Sequence, residues 1–492
     1  MTSSHSNPAA VEQDRRLDRE AGGARTPRGT DAAPMPGPCT RLPSPYAPFE
    51  AAVSRLLGQV KNWRFREGAL LHLRETVPGI DLLNWLQINP HGARCFWRDR
   101  EHVMTVAGVG AAVELVAHSA YDHARLLARI NKILEGRDAF FLGGLAFAGD
   151  NGRDEWSGFP AARFVLPAIE LRQRGPDHHL AVNLLAQSPG EFVRMKTHLI
   201  ELLCKLEFRP QALQNVDSPH VARRIDDMDF SVCRKRIADI LHEIAQGRLH
   251  KVVLARRVEL RLTAPAAPFM VLRRWCNTNP GSFGFAMEQA NDLFMGCSPE
   301  RLYRRWGQEI RTESLAGTVR RGLTRKEDAD MERRLRDDPK LVHEHDLVTR
   351  FVRSQIEPWV TDTDSPSEAG VFKLDRIQHR HLPISATLKP GVLDDQLLHA
   401  LHPTPAVCGF PRGPAQALIR RQETVQRGWY SGAVGIVSPH HSEFAVAIRS
   451  ALVNQDRILC YSGVGIVDGS DPEAEWNELE AKIESFLSVL GC

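Results

Sequence analysis

The sequence predicts an α+β fold, a large layered β-sheet core flanked by helices, and three observations carry this expectation. Runs such as "KVVLARRVEL" and "ARFVLPAIELRQR" are apolar enough to be strands covered on both faces. Segments such as "EFVRMKTHLIELLCKLEF" repeat apolar residues at helical spacing. Strands and helices follow one another without a repeated βαβ unit, which argues for a layered sheet rather than a doubly wound one.

Composition narrows the function classes. The chain has 492 residues, 42% of them hydrophobic, enough for one large core or several ordinary ones. Its 63 basic and 60 acidic side chains give a net charge of +3, with both signs mixed throughout. Neither a nucleic-acid-binding stripe nor a polybasic membrane face is indicated, so the expected partner is a small molecule. Nine cysteines are scattered without CxxC or other ligand-like spacing, so neither a disulfide framework nor a zinc site is expected. The polar N-terminus holds no apolar signal core, and no run of about eighteen apolar residues occurs. A cytoplasmic location follows as the expectation.

Residues 1–45 include "AGGARTPRGTDAAPMPGPCTRLPSP", too rich in Gly and Pro to continue a helix or bury a core, and a disordered N-terminal arm is expected. Glu12, Asp14, Asp18, Glu20 and Asp31 make it a poor transit peptide. Residues 46–224 form the N-terminal part of the fold: "FFLGGLAF", "ARFVLPAIELRQR" and "HHLAVNLLA" are expected strands, the helix above follows, and "RPQALQNVDSPHVARRI" reads as a break. Residues 225–492 begin with a helix carrying Ile237, Ile240, Leu241 and Ile244, which stops at Gly247 and leads into the strand with Lys251. "SFGFAMEQANDLFMGCSPERLYRRW" and "EIRTESLAGTVRRG" give successive strands. One long helix is expected through "MERRLRDDPKLVHEHDLVTRFVRSQI". "EFAVAIRSALVNQDRILCYSGVGIV" reads as a hairpin turning at Asn454, Gln455 and Asp456. Ser470, Asp471 and Pro472 then start a closing helix.

Several residues stand out chemically. Lys251 opens an apolar strand, where an ammonium is either a solvated end or a group meant to be partly desolvated. Glu475, Glu478 and Lys482 lie at i, i+3 and i+7 and share a helix face. Glu478 and Lys482 could be an ordinary surface ion pair. With Glu344 of "HEHDL", however, the glutamates could hold a hard divalent ion. His343 and His345, at i and i+2, point to different faces and make poor joint zinc ligands. Gly463 and Gly465 could form a tight turn or admit an anion to bare amides. Ala316 and Gly317 could allow close packing or leave room for a ligand. Arg449, among alanines, suits a carboxylate or an exposed edge.

"KVVLAR" (251–256), "GCSPERL" (296–302), "ESLAGT" (313–318), "HEHDLV" (343–348), "LLHALHPTPAVCGFP" (397–411), "RGWYSGAVGIV" (427–437) and "YSGVGIVDGSDPEAEWNELEAK" (461–482) occur in this order. Together they resemble the chorismate-utilising, anthranilate synthase component I-like family and, within it, its isochorismate synthases. The resemblance is strong over about residues 225–492, the implied chorismate-binding catalytic core, and looser over the N-terminal half. It implies an Mg2+-dependent isomerisation of chorismate to isochorismate, with water added at C2 and the C4 hydroxyl lost. It implies Lys251 as base and Glu300 as acid. Glu344 and Glu478 would hold magnesium, with Glu475 in support. Arg449, Tyr430, Lys482 and the amides near Gly463 and Gly465 would hold the enolpyruvyl carboxylate. His379 would lie near the ring carboxylate, with Ala316, Gly317 and Thr318 in the substrate site. The same resemblance implies a monomer, with an oligomer left open; no nucleic-acid or membrane partner is expected from the charge pattern.

Family members that deliver ammonia to make anthranilate have glutamine at the place of Lys251, and aminodeoxychorismate synthases carry a nucleophilic lysine at the place of Ala316. Neither pattern is present. A salicylate synthase is the alternative activity, and a catalytically inactive chorismate-binding protein the alternative of another class. One departure from the family is Leu341, three positions before Glu344, where an acidic residue is common.

Overall fold

The computed structural model describes residues 46–148, 154–208, 219–374 and 377–491. The expected arm, residues 1–45, lies outside them, as does 209–218 within the expected break. The described residues belong to one compact unit, Pro45–Cys492.

Among the described residues twenty strands join into one sheet, built from antiparallel pairings in two limbs. The strand Ala162–Arg174 is the branch point, pairing with Met104–Ala117, Phe141–Leu145 and Asp177–Leu184. From Met104–Ala117 one limb passes through Arg94–Arg98, Phe283–Gln289, Asp292–Ser298, Ser450–Asn454 and Arg457–Val467 to Lys251–Leu262. From Phe141–Leu145 the other passes through Ala433–Val437, His441–Val446, Arg301–Trp306 and Glu309–Arg320 to Ile377–Leu388. The far ends of both limbs line one pocket, so residues distant in the chain meet there.

Helices cover the limbs because each buries one apolar stripe. Phe49 and Leu56, Leu199 and Leu202, Trp275, and Phe486 face the first limb from four helices. Val348, Phe351 and Val352 of Pro339–Ile356 face the second. Each such side chain contributes about 1.5–3 kcal/mol by leaving water.

Three local expectations are corrected. The long helix is two, Arg325–Asp337 and Pro339–Ile356. Proline disfavours helical geometry in the residue before it, and Asp338 is extended, its carboxylate capping the new helix at the Lys340 amide, 2.9 Å. The strand expected through "FAVAIRSAL" stops at Val446 and resumes at Ser450, with Arg449 at φ +49°. Part of the expected break is a strand, Val221–Asp226, paired to Lys251–Leu262. Its side chains are mostly exposed, so it lacks the apolar run that marks a buried strand. The hairpin turn at Asn454–Asp456 forms as expected, with Gln455 at φ +52°.

Candidate active site

Lys251 is the first residue of its strand, held between Val467 and Phe410 by pairing on both sides. Its side chain is only 1% exposed, and Nζ lies 2.9 Å from Glu344 Oε1. The lysine is therefore desolvated and paired, not a solvated strand end. Glu344 comes from the helix Pro339–Ile356. Space for this contact depends on Gly465: a Cβ there would lie 2.5 Å from Glu344 Oε1 and 2.9 Å from Lys251 Cε. Close approach, rather than a special turn, explains this glycine.

Glu300 sits between the strands Asp292–Ser298 and Arg301–Trp306 and is 5% exposed. Its amide donates to Ser298 Oγ at 3.3 Å, and its carbonyl accepts from the Val446 amide at 3.0 Å. Burial, reinforced by the negative charge of Glu313, pushes the carboxyl up to about 8 against the pull of Lys251, Arg100 and Lys482. For Glu344, burial also pushes upward, but Lys251, Lys340 and Lys482 outweigh it and hold the carboxyl below its ordinary value. One pocket thus contains a carboxylic acid and a carboxylate at neutral pH, a division of labour set by environment.

All three glutamates of the expected metal set carry a lysine. Glu344 pairs with Lys251, Glu475 with Lys340, and Glu478 with Lys482 at 2.7 Å. Glu344 and Glu478 line the pocket. Glu475 stands behind them, buried against Lys340; its burial pushes the carboxyl upward. The Glu478–Lys482 pair follows the i, i+4 spacing, yet it faces the pocket, where Lys482 Nζ also donates to the Gly463 carbonyl at 2.6 Å. Among the described residues no group of three His, Cys, Asp or Glu side chains is gathered closely enough to cage a metal alone. His343 is exposed, whereas His345 turns inward to Ser314 Oγ at 3.0 Å. Asp338 is occupied with its helix cap, and Leu341 packs with Val319 and Leu335.

The opposite wall is suited to anions. Arg449 faces the pocket, and its guanidinium makes no hydrogen bond or ion pair among the described residues. Its carbonyl accepts from the Cys297 amide at 2.9 Å, which the absence of a side chain at Gly296 permits: a Cβ there would lie 2.8 Å from that oxygen. Tyr430 stacks on Tyr461 at 5.0 Å and brings its hydroxyl close to Gly463. His379 Nδ1 meets Thr318 Oγ1 at 2.9 Å, while Nε2 is buried without a partner. Burial, with the charges of Arg449, Lys482 and His381, pushes the imidazole down to about 3, so it is neutral. Gly317, at φ +75°, forms a bulge between Ala316 and Thr318.

Of the expected site residues, all but Glu475 line the pocket. Pro299, Tyr461 and Ser462 also line it, and Arg100, Glu313 and Lys340 support it from behind; none of these was singled out by sequence. Their signal is long-range pairing, such as Arg100 with Glu313 across 213 positions, which no local pattern carries.

A chorismate binding enzyme family model matches residues 56–491. An isochorismate synthase MenF of Pasteurella multocida is 32% identical over 84% of this chain and 91% of its own length. The salicylate biosynthesis isochorismate synthase of Pseudomonas aeruginosa is 33% identical, over 77% of this chain and 82% of its own. Among solved structures, MenF of Escherichia coli, the menaquinone-specific isochorismate synthase, superposes with a TM-score of 0.79 at 28% identity, covering 90% of this chain and 99% of that one. The chain belongs to the chorismate binding enzyme family.

Proposed function

We propose that this enzyme is an isochorismate synthase, converting chorismate to isochorismate with magnesium. The observation that carries the reading is the presence, in one pocket, of the buried Lys251, held by Glu344, and of Glu300, whose carboxyl is pushed up to about 8. Hydroxide is a poor leaving group, so the C4 oxygen must receive a proton as its bond breaks, and Glu300 is the group that can give one. Water adds at C2 and loses a proton to Lys251, the base of this proposal. The ring double bonds shift from C1=C2 and C5=C6 to C1=C6 and C4=C5, and the C4 hydroxyl leaves as water.

Arg449, Lys482, Tyr430 and the backbone at Gly463 and Gly465 suit the enolpyruvyl carboxylate, since a free guanidinium and an ammonium face one anionic group. Neutral His379, near Ala316, Gly317 and Thr318, offers its unpartnered Nε2 to the ring carboxylate. The oxygen donors Glu344 and Glu478 fit magnesium, which is held by one or two carboxylates and keeps other positions for water and substrate; Glu475 supports them from behind. When bound, the ion would supply a positive centre for the ring carboxylate. Glu344 would then exchange its lysine for the metal.

Product analysis after incubation of the purified protein with chorismate and magnesium tests the reading. Isochorismate formation, lost in excess chelator, is expected. Salicylate with pyruvate as first products would assign the lyase activity instead, and unchanged chorismate would contradict both.

A further inference from the structure

We propose that Glu313 is a positioning residue for this reaction, a buried carboxylate that holds the Arg301 amide on one side of Glu300, anchors Arg100, which holds the Pro299 carbonyl on the other, and keeps a negative charge beside the acid. The proposal rests on Glu300 being the acid. Glu313 Oε1 accepts from the Arg301 amide at 2.9 Å and from Arg100 Nη1 at 2.7 Å. Oε2 accepts from Arg100 Nη2 at 2.8 Å and pairs with His381 Nε2 at 2.9 Å. Arg100 Nη1 also donates to the Pro299 carbonyl at 2.8 Å. The two peptide groups flanking Glu300 are thereby tied to a single carboxylate–guanidinium pair. Neither partner is free to move, because Arg100 lies over the rings of Phe283 and Phe372 and Glu313 is 5% exposed.

The charge of this clamp matters as much as its geometry. Burial opposes ionisation of Glu313, but His381 and Arg100 outweigh it and hold the carboxyl far below its ordinary range. Glu300 is faced by Glu313 from the strand Glu309–Arg320, by Lys251 from its own strand, by Arg100 from the loop after Arg94–Arg98, and by Lys482 from the closing helix. Only Glu313 opposes the ionisation of Glu300 among these; the three cations favour it. A like charge nearby disfavours a second anion. Without Glu313, Glu300 would lose the negative charge that acts on it most strongly and give up its proton at lower pH.

The test is the pH dependence of kcat and kcat/KM for the wild type and for Glu313→Gln, Arg100→Gln and Glu300→Gln. Glu313→Gln removes the negative charge, and the alkaline limb should move to lower pH by about one unit or more, with kcat falling more than KM rises. Arg100→Gln removes a cation from the same clamp, and its alkaline limb should move the opposite way. A purely structural role would shift both alike. Alkaline limbs that coincide with the wild type in both variants, or move in the same direction, would overturn the proposal. If Glu313→Gln does not fold, Glu313→Asp, which keeps the charge but shortens the reach to the Arg301 amide, decides: a lowered kcat with the alkaline limb at its wild-type position supports the clamp, and a wild-type kcat or a shifted limb overturns it. Full turnover in Glu300→Gln would instead sink the acid assignment itself.

Discussion

Lys251 Nζ lies 2.9 Å from Glu344 Oε1, so the proposed base and a proposed metal ligand hold each other in a buried ion pair. The same carboxylate cannot satisfy an ammonium and a divalent cation equally well. Removing one partner of such a pair leaves the other uncompensated, so the two proposed functions of the site are linked.

Magnesium affinity should therefore rise when the lysine goes. Lys251→Met removes the competing ammonium and should tighten magnesium binding in the absence of chorismate by about five- to hundredfold, the usual span of such couplings, while turnover is lost. Calorimetric titration of the metal checks this. An unchanged or weaker affinity would contradict the exchange of Glu344 between lysine and metal.

Gly465 should tolerate no side chain. A Cβ at this position meets Glu344 Oε1 and Lys251 Cε below ordinary contact distance. Gly465→Ala should cut kcat about a hundredfold, the scale on which a displacement near 1 Å acts, with the thermal midpoint changed little. Near-normal turnover would show that the pair can be displaced without consequence.

Arg449 and Lys251 should fail in different ways. Arg449→Ala removes charge-assisted hydrogen bonds worth about 1.5–3 kcal/mol and should raise KM roughly ten- to hundredfold. Lys251→Ala should lower kcat by about a hundredfold or more, the scale of a positioned proton-transfer group, with KM moved much less. Steady-state kinetics with chorismate separates the two.

The contribution of Glu300 to stability should fall as pH rises toward 8 in the metal-free enzyme. Glu300 has its ordinary value of 4.5 when unfolded and about 8 when folded, so the folded chain binds the proton more tightly. The resulting stabilisation is complete below about 4.5 and gone above about 8, with a slope of up to about 1.4 kcal/mol per pH unit between them. Denaturant unfolding of Glu300→Gln across this window should show a shallower decline than the wild type. Parallel curves would mean that Glu300 does not carry the proton.

Much of this site was legible because its residues sit in local patterns. The apolar strand after Lys251 and the spacing of Glu475, Glu478 and Lys482 each survive in a short window of sequence, whereas Glu300 is implied only by the family resemblance. The layered α+β sheet was legible from apolar runs and missing βαβ repeats. Which strands pair was not: Ala162–Arg174 joins three partners drawn from different parts of the chain. The break before Pro339 obeys a rule visible in sequence, but continuous apolar spacing across it hides the turn. Arg449 reads as a strand residue because alternation persists through "FAVAIRSAL", whereas its backbone is left-handed and its carbonyl lies where a Cβ at Gly296 would leave no room. Arg100 and Glu313 resemble solvated charges until tertiary contacts cover them, as does Lys340 until it pairs with the buried Glu475.

The most direct test of water addition by Lys251 and Glu300 is to run the reaction with chorismate and magnesium in water enriched in oxygen-18 and to locate the label by mass spectrometry. Isochorismate carrying one heavy oxygen, at C2, is predicted for the wild type, with its formation lost in Lys251→Ala and in Glu300→Gln. Unlabelled isochorismate, or labelled product formed at the wild-type rate by Lys251→Ala, would contradict the mechanism.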